Sequence, residues 1–249
     1  MTVTKLHALH VVVFAISCQY AAGQISSVLQ ERRVQTQVTV SSGGSNGDFA
    51  ESMDFGPFLR SLSSIVLGAG GSSADASAAQ DSTLTSGGVS GFLSAGSVVR
   101  TGSTFVTGEG DGTSSFLYIF NLAAPTAIQF RAEGNLSYIG RDPNGEPSDL
   151  FGTASVRLLD GITMDLIAGF TLFSDPGFDS ASFDGTLPSG QYVILASARL
   201  HAFSADLLGP PARSGSGVAD ASFSLNVIPS PGVSALLGMG VLAMARRRR

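Results

Sequence analysis

Apolar and polar residues alternate along most of this chain with a period of two. Over residues 127–138, Ile128, Phe130, Ala132, Gly134, Leu136 and Tyr138 fall on one side, while Gln129, Arg131, Glu133, Asn135 and Ser137 fall on the other. That period sends successive side chains to opposite faces of a strand, so the segment reads as half-buried β-structure. The same pattern predicts strands over 28–40, 153–159, 162–173, 192–203 and 218–227, while 59–69 reads as a strand or a short helix, with Gly68, Gly70 and Gly71 at its end favouring the strand. In 162–173 it places Ile162, Met164, Leu166, Ala168, Phe170 and Leu172 together. In 218–227 it turns Ala219, Ala221, Phe223, Leu225 and Val227 inward. Residues 116–122 form a denser apolar run, which predicts a central strand covered on both faces. Segments 72–85 and 89–99 alternate small residues with polar ones, a weaker form of the same signal.

Turn signals separate these runs. Residues 41–47 read as a loop and 48–57 as irregular chain, with Phe49, Phe55 and Phe58 tucked under neighbouring strands. Residues 141–147 form a turn, and Leu187-Pro188-Ser189-Gly190 is a tight one. The stretch 41–112 is biased to Gly, Ser, Ala and Thr, as a linker would be. Its regular turns and scattered large apolar residues predict order instead. Short strands at regular spacing make an all-β fold, a β-sandwich of jelly-roll type over residues 24–227, the natural architecture.

Composition narrows the partners of that domain. Lys5 and the last four arginines sit at the two ends, leaving nine basic against 19 acidic residues between them, a net charge of −10. Such a balance disfavours nucleic acid and anionic lipid, which both attract clustered cations. Cys18 is the only cysteine, so no disulfide staples the domain. Tryptophan is absent, and most Phe and Tyr fall on faces assigned to the core, which weakens the case for aromatic platforms stacking on sugar.

The two ends carry a different kind of signal. Ile228-Pro229-Ser230-Pro231-Gly232 breaks regular structure, because proline removes backbone donors and pushes its predecessor toward extended conformations. Residues 233–245 are uncharged, and Arg246, Arg247, Arg248 and Arg249 follow. As a helix this apolar run spans about 20 Å, against a hydrocarbon core of about 30 Å. The arginines belong on the cytoplasmic side by the positive-inside rule. At the other end, Lys5 and His7 precede the apolar run 11–16, and Ala21-Ala22-Gly23 offers small residues ahead of Gln24. That is the layout of a signal peptide over 1–23, cleaved between Gly23 and Gln24. A lipid anchor at Cys18 is the other reading, though Ala15-Ile16-Ser17 lacks the usual leucine.

Residues 228–249, as a proline motif, a Leu/Gly-rich apolar stretch and terminal arginines, resemble the PEP-CTERM sorting signal of Gram-negative bacteria. Ser230 stands where the usual motif has glutamate. The resemblance implies export through the Sec translocon and transient anchoring in the inner membrane by the C-terminal helix. It also implies recognition of Pro229, Ser230 and Pro231 by an exosortase-type membrane protease, with delivery to the cell surface or extracellular matrix.

Chemistry within the domain is sparse. His201 is the only histidine outside the two ends, and a lone strand histidine is more often a satisfied side chain than a base. No nucleophile elbow, P-loop, zinc spacing or dinucleotide fingerprint occurs, so no cofactor and no enzymatic activity are expected. Asp142, Asn144, Glu146 and Asp149 gather oxygen ligands in one loop, but without calcium-loop spacing, and Asp-Pro-Asn-Gly is first of all a turn. The run Gly108-Glu109-Gly110-Asp111-Gly112 is a weaker cation candidate still. Two roles are expected to compete: a structural protein of the envelope or matrix, and a module that binds extracellular polysaccharide through polar strand faces or the 141–149 loop.

Overall fold

Alternation governs the fold in the computed structural model, which describes residues 25–102, 106–141, 149–206 and 213–228. The strands are β1 (Ile25–Val40), β2 (Gly44–Ser52), β3 (Phe58–Leu67), β4 (Ser73–Thr85), β5 (Gly88–Thr101) and β6 (Val106–Leu122). They continue as β7 (Thr126–Arg141), β8 (Asp149–Asp160), β9 (Leu166–Phe173), β10 (Gly177–Leu187), β11 (Gly190–Asp206) and β12 (Arg213–Val227). Two antiparallel sheets result, ordered β2-β1-β6-β11-β8-β9 and β10-β7-β12-β5-β4-β3. They pack face to face as a β-sandwich, with Phe116 of β6 and Phe223 of β12 only 4.9 Å apart between ring centroids.

The pairing follows one rule from β5 onward. Strand β5 pairs with β12, β6 with β11, β7 with β10 and β8 with β9, and successive pairs fall in alternate sheets. This is the winding of a jelly roll. The hairpin β1–β2 widens one sheet beside β6, and β3–β4 widens the other beside β5. Because neighbours are antiparallel throughout, the described chain enters and leaves at one end of the sandwich. Ile25 lies opposite Leu122, and the Ile228 amide donates to the Ala127 carbonyl oxygen at 2.8 Å, on either side of the β6–β7 turn. The β1–β2 turn, the β3–β4 link and the strand ends at Thr101 and Val106 belong to the opposite end.

The core divides into two textures. Around β6, β11, β7 and β12 it is built from large side chains, among them Phe116, Tyr118, Phe120, Phe130, Ile194 and Leu225. Tyr118 stacks on Phe120 at 5.4 Å and gives its hydroxyl to a 2.7 Å hydrogen bond with Ser27, and burial pushes its pKa up. Toward the β1, β3 and β4 side the filling becomes small: Ala74, Ala76 and Ala78 meet Val34, Val38 and Val66. The buried hydroxyls of Thr36 and Ser64 share a 2.7 Å hydrogen bond there.

Three expectations need correction. The predicted loop and irregular chain over 41–57 contain an edge strand, β2, paired along Arg32–Val40 of β1. Phe49 and Phe55 are about half exposed rather than tucked away, and only Phe58 is buried. The run 116–122 ends β6 and is covered mainly on one side, with Leu117 and Ile119 half-buried on the outer face. Finally, the strand expected over 162–173 starts at Leu166, and Ile162 and Met164 stand exposed in the turn before it. Asp160 dictates that turn: its Oδ1 accepts from the Ile162 and Thr163 amides at 2.9 Å each, and Met164 then takes a positive φ of 60°. A side-chain acceptor that satisfies two backbone donors outweighs an apolar periodicity that no partner strand can use.

Candidate functional site: the outer face of the first sheet

Inward-facing residues decide which side chains face outward here. On β1, Val34, Thr36 and Val38 are buried, so Arg33, Gln35 and Gln37 face out. On β6, Gly108, Gly110 and Gly112 face in, which turns Glu109, Asp111 and Thr113 to the surface. Those glycines exist for proximity. A Cβ on Gly110 would overlap the Ser97 hydroxyl, and one on Gly112 would overlap the backbone of Ser77 and Gly96. The two sheets therefore approach more closely here than side chains would allow. Strand β11 adds Ser197, Arg199 and His201 to the same face, and β8 adds Phe151, Thr153, Ser155 and Arg157.

Three open grooves cross this face. One of about 520 Å³ runs between β1 and β2 past Gln35, Gln37 and Phe49. A second of about 360 Å³ lies over β1, β6 and β11 and is lined by Arg33, Gln35, Gln37, Asp111, Thr113, Ser115 and Arg199. The third, about 480 Å³, continues over β8 past Glu31, Ser115, Ser155, Arg157 and Ser197. Shared lining residues join them into one shallow trough across the strands. Its polar groups are tied to one another: Arg33 donates to Gln35 Oε1 at 2.9 Å, Ser155 and Ser197 share a 2.9 Å hydrogen bond, and Arg157 reaches Thr171. Aromatic rings flank it. The Arg33 guanidinium lies 4.8 Å from the Phe49 centroid, and Phe151 stacks on His201 at 4.5 Å.

One corner of the face gathers charge. His201 stands directly opposite Asp111 across the β6–β11 ladder, and its Nδ1 lies 3.1 Å from Asp111 Oδ2 and 3.9 Å from Glu109 Oε1. Arg199 takes the other oxygen of Asp111 at 3.4 Å. The strand run 108–112 alone shows both carboxylates on one side. Nothing in it reveals that a histidine ninety residues later sits across the ladder, because register between distant strands is not a local property.

The site residues expected from sequence lie mostly elsewhere. Ala21, Gly23 and Gln24 at the signal-peptidase position, and Pro229, Ser230, Pro231 and Arg246, Arg247, Arg248 and Arg249 of the sorting signal, are outside the described residues. So are Asp142, Asn144 and Glu146, while Asp149 opens β8 opposite Phe203. Among the described residues no helix is long and apolar enough to cross a membrane, and the apolar run 233–245 is not among them. Phe116, Tyr118, Phe120, Phe130, Phe170, Tyr192 and Phe223 serve the core, as expected of most aromatics, but Phe49, Phe92, Phe151, Phe173 and Phe178 are substantially exposed.

No family model and no curated protein matches the chain. Among solved structures it is similar to Broad Bean Stain Virus at 10% identity and a TM-score of 0.24, over 82% of this chain and 89% of that one. It is also similar to the VP2 subviral particle of infectious bursal disease virus, at 11% identity and a TM-score of 0.18, over 91% and 75% of the two chains. A third likeness is to carbohydrate-binding modules of the β-sandwich superfamily, at 9% identity and a TM-score of 0.15, over 78% and 95%. At such scores none of them bears on function, and the fold rests on the strand pairing itself.

Proposed function

We propose that this chain is an exported protein of the cell envelope or extracellular matrix whose sandwich binds extracellular polysaccharide along the outer face of its first sheet. The reading is of a binding surface and not of an enzyme. The observation that carries it is the trough. An extended polymer offers hydroxyls at regular intervals, and a row of amides, guanidinium groups and hydroxyls held on paired strands can meet several at once. Exposed Phe49 and Phe151 add apolar surface on which a sugar ring can rest. Delivery rests on the PEP-CTERM-like tail with its exosortase-type protease, and the position of both domain ends at one pole fits a domain held from one side.

Affinity electrophoresis of the purified full-length chain through gels containing a neutral β-glucan, alginate or dextran tests the binding reading. At least one polymer should retard the protein, and Gln35→Ala with Gln37→Ala should weaken that retardation at least tenfold while leaving the melting temperature unchanged. Equal migration in every gel, or equal retardation of the double variant, overturns it.

A further inference from the structure

We propose that Glu109, Asp111 and His201 bind a divalent transition-metal cation of the zinc type. Their ligand atoms, two carboxylate oxygens and one imidazole nitrogen, all lie within 4.8 Å of one another. Ligands around a tetrahedral zinc, each about 2.0–2.2 Å from the metal, stand about 3.3–3.6 Å apart. The separations of 3.1 and 3.9 Å at His201 Nδ1 bracket that spacing, so small side-chain rotations suffice.

The state of the imidazole is the second argument. His201 has 14% of its side chain exposed, and Nδ1 is shielded from solvent. It nevertheless makes no hydrogen bond of acceptable direction, despite the carboxylate oxygen beside it. A buried nitrogen left in this way is costly, and a cation in the gap satisfies it together with both carboxylates. The surroundings hold the ligands for such a task. Phe151 stacks on the ring and fixes its plane, while Arg199 occupies Asp111 Oδ1 and leaves Oδ2 toward the histidine. Partners of this kind orient metal ligands. All three ligands lie on paired strands of one sheet, at directly opposed or next-but-one positions, so little has to be ordered when a metal arrives.

Ligand chemistry selects the cation. Calcium and magnesium take oxygen donors, whereas one imidazole with two carboxylates suits zinc and its transition-metal neighbours. Three protein ligands leave a fourth position for water. The proposal makes no use of the polysaccharide reading and stands or falls without it.

Equilibrium dialysis of the full-length chain in detergent against zinc chloride, with the bound metal counted by mass spectrometry, is the test. One zinc per chain should be retained in the presence of a hundredfold excess of calcium. His201→Gln should abolish retention, and Glu109→Gln should weaken it at least tenfold. Glu109 is half exposed, so its variant keeps the fold and the comparison remains valid if His201→Gln misfolds. A variant carrying His7→Gln and His10→Gln, the other two histidines, should bind as the parent does. Zinc binding that is absent, that calcium displaces, that Glu109→Gln leaves intact, or that disappears with His7 and His10 overturns the assignment.

Discussion

Gly112 acts on its neighbours by having no side chain. Its inner side faces the carbonyl oxygen of Ser77 and the backbone of Gly96, and these cannot move as a flexible side chain could. Gly112→Ala should therefore lower stability by about 1–3 kcal/mol, the range for overpacking a closed interior. Urea denaturation should show a lower midpoint with an unchanged slope, and Thr113→Ala, one residue along and facing outward, should stay within about 0.5 kcal/mol of the parent. Arg32 illustrates the opposite device. Its buried guanidinium donates to the carbonyl oxygens of Asp54 and Gly56 and lies 5.0 Å from the Phe58 centroid, which pins the link between β2 and β3. Burial lowers its pKa and Asp54 raises it in part. Arg32→Met keeps the packing but strands two carbonyls, so a loss of about 1–3 kcal/mol is expected in the same assay. Neither role was legible in the sequence, where Arg32 looks like a surface charge beside Arg33. Its parity matches that of Val34, Val38 and Val40, but only the carbonyl partners at Asp54 and Gly56, distant along the chain, make a charge acceptable on that face.

At the level of elements, strands with one covered face were legible, the edge strand β3 among them, and the edge strand β2 was not. β7 shows its inward set as a clean alternation because every other residue meets the opposite sheet. β2 lies at an edge with almost all its residues exposed, so its pairing with β1 is carried by the backbone and leaves no apolar trace in Gly-Ser-Asn-Gly-Asp. The β8–β9 turn leaves no apolar trace either, since one acidic side chain, Asp160, fixes it. Acid should expose such devices. Hydrogen bonds from the Thr163 and Ile162 amides hold Asp160 below the ordinary carboxylate range. The Arg131 guanidinium, bonded to Asp184 at 2.6 Å across β7 and β10, does the same for that residue. A carboxyl whose pKa is lower in the folded state supports folding above its unfolded value, near 3.8. That support disappears as pH falls through the folded value. The melting temperature should be steady from pH 7 to about 5 and decline below about pH 4, and Asp160→Asn with Asp184→Asn should flatten part of that decline. An acid limb identical in the double variant would place the sensitivity elsewhere.

For the whole molecule, a sandwich of jelly-roll type was the expectation, while the strand pairs that make it one were not legible. Regular strand spacing with frequent turns admits several sandwich topologies, and only the pairing of β5 with β12 through β8 with β9 selects this one. The same pairing returns the chain to its starting pole, because an even number of antiparallel strands ends where it began. The consequence concerns the tail. β12 is complete at Val227 and the Ile228 amide donates to the Ala127 carbonyl oxygen, so all twelve described strands lie ahead of the Pro229-Ser230-Pro231 motif. On the proposed delivery route, residues 24–227 produced alone should melt cooperatively with a β-type circular dichroism spectrum. In a host with the matching protease, mass spectrometry of the surface-exposed protein should place its C-terminus within several residues after Val227. Neutralising Arg246, Arg247, Arg248 and Arg249 should leave uncleaved precursor, because each arginine costs about 2.5–3.5 kcal/mol at a bilayer centre and four together hold the tail in the cytoplasm. A surface form that keeps all four arginines would make the tail a plain anchor and remove the protease from the pathway.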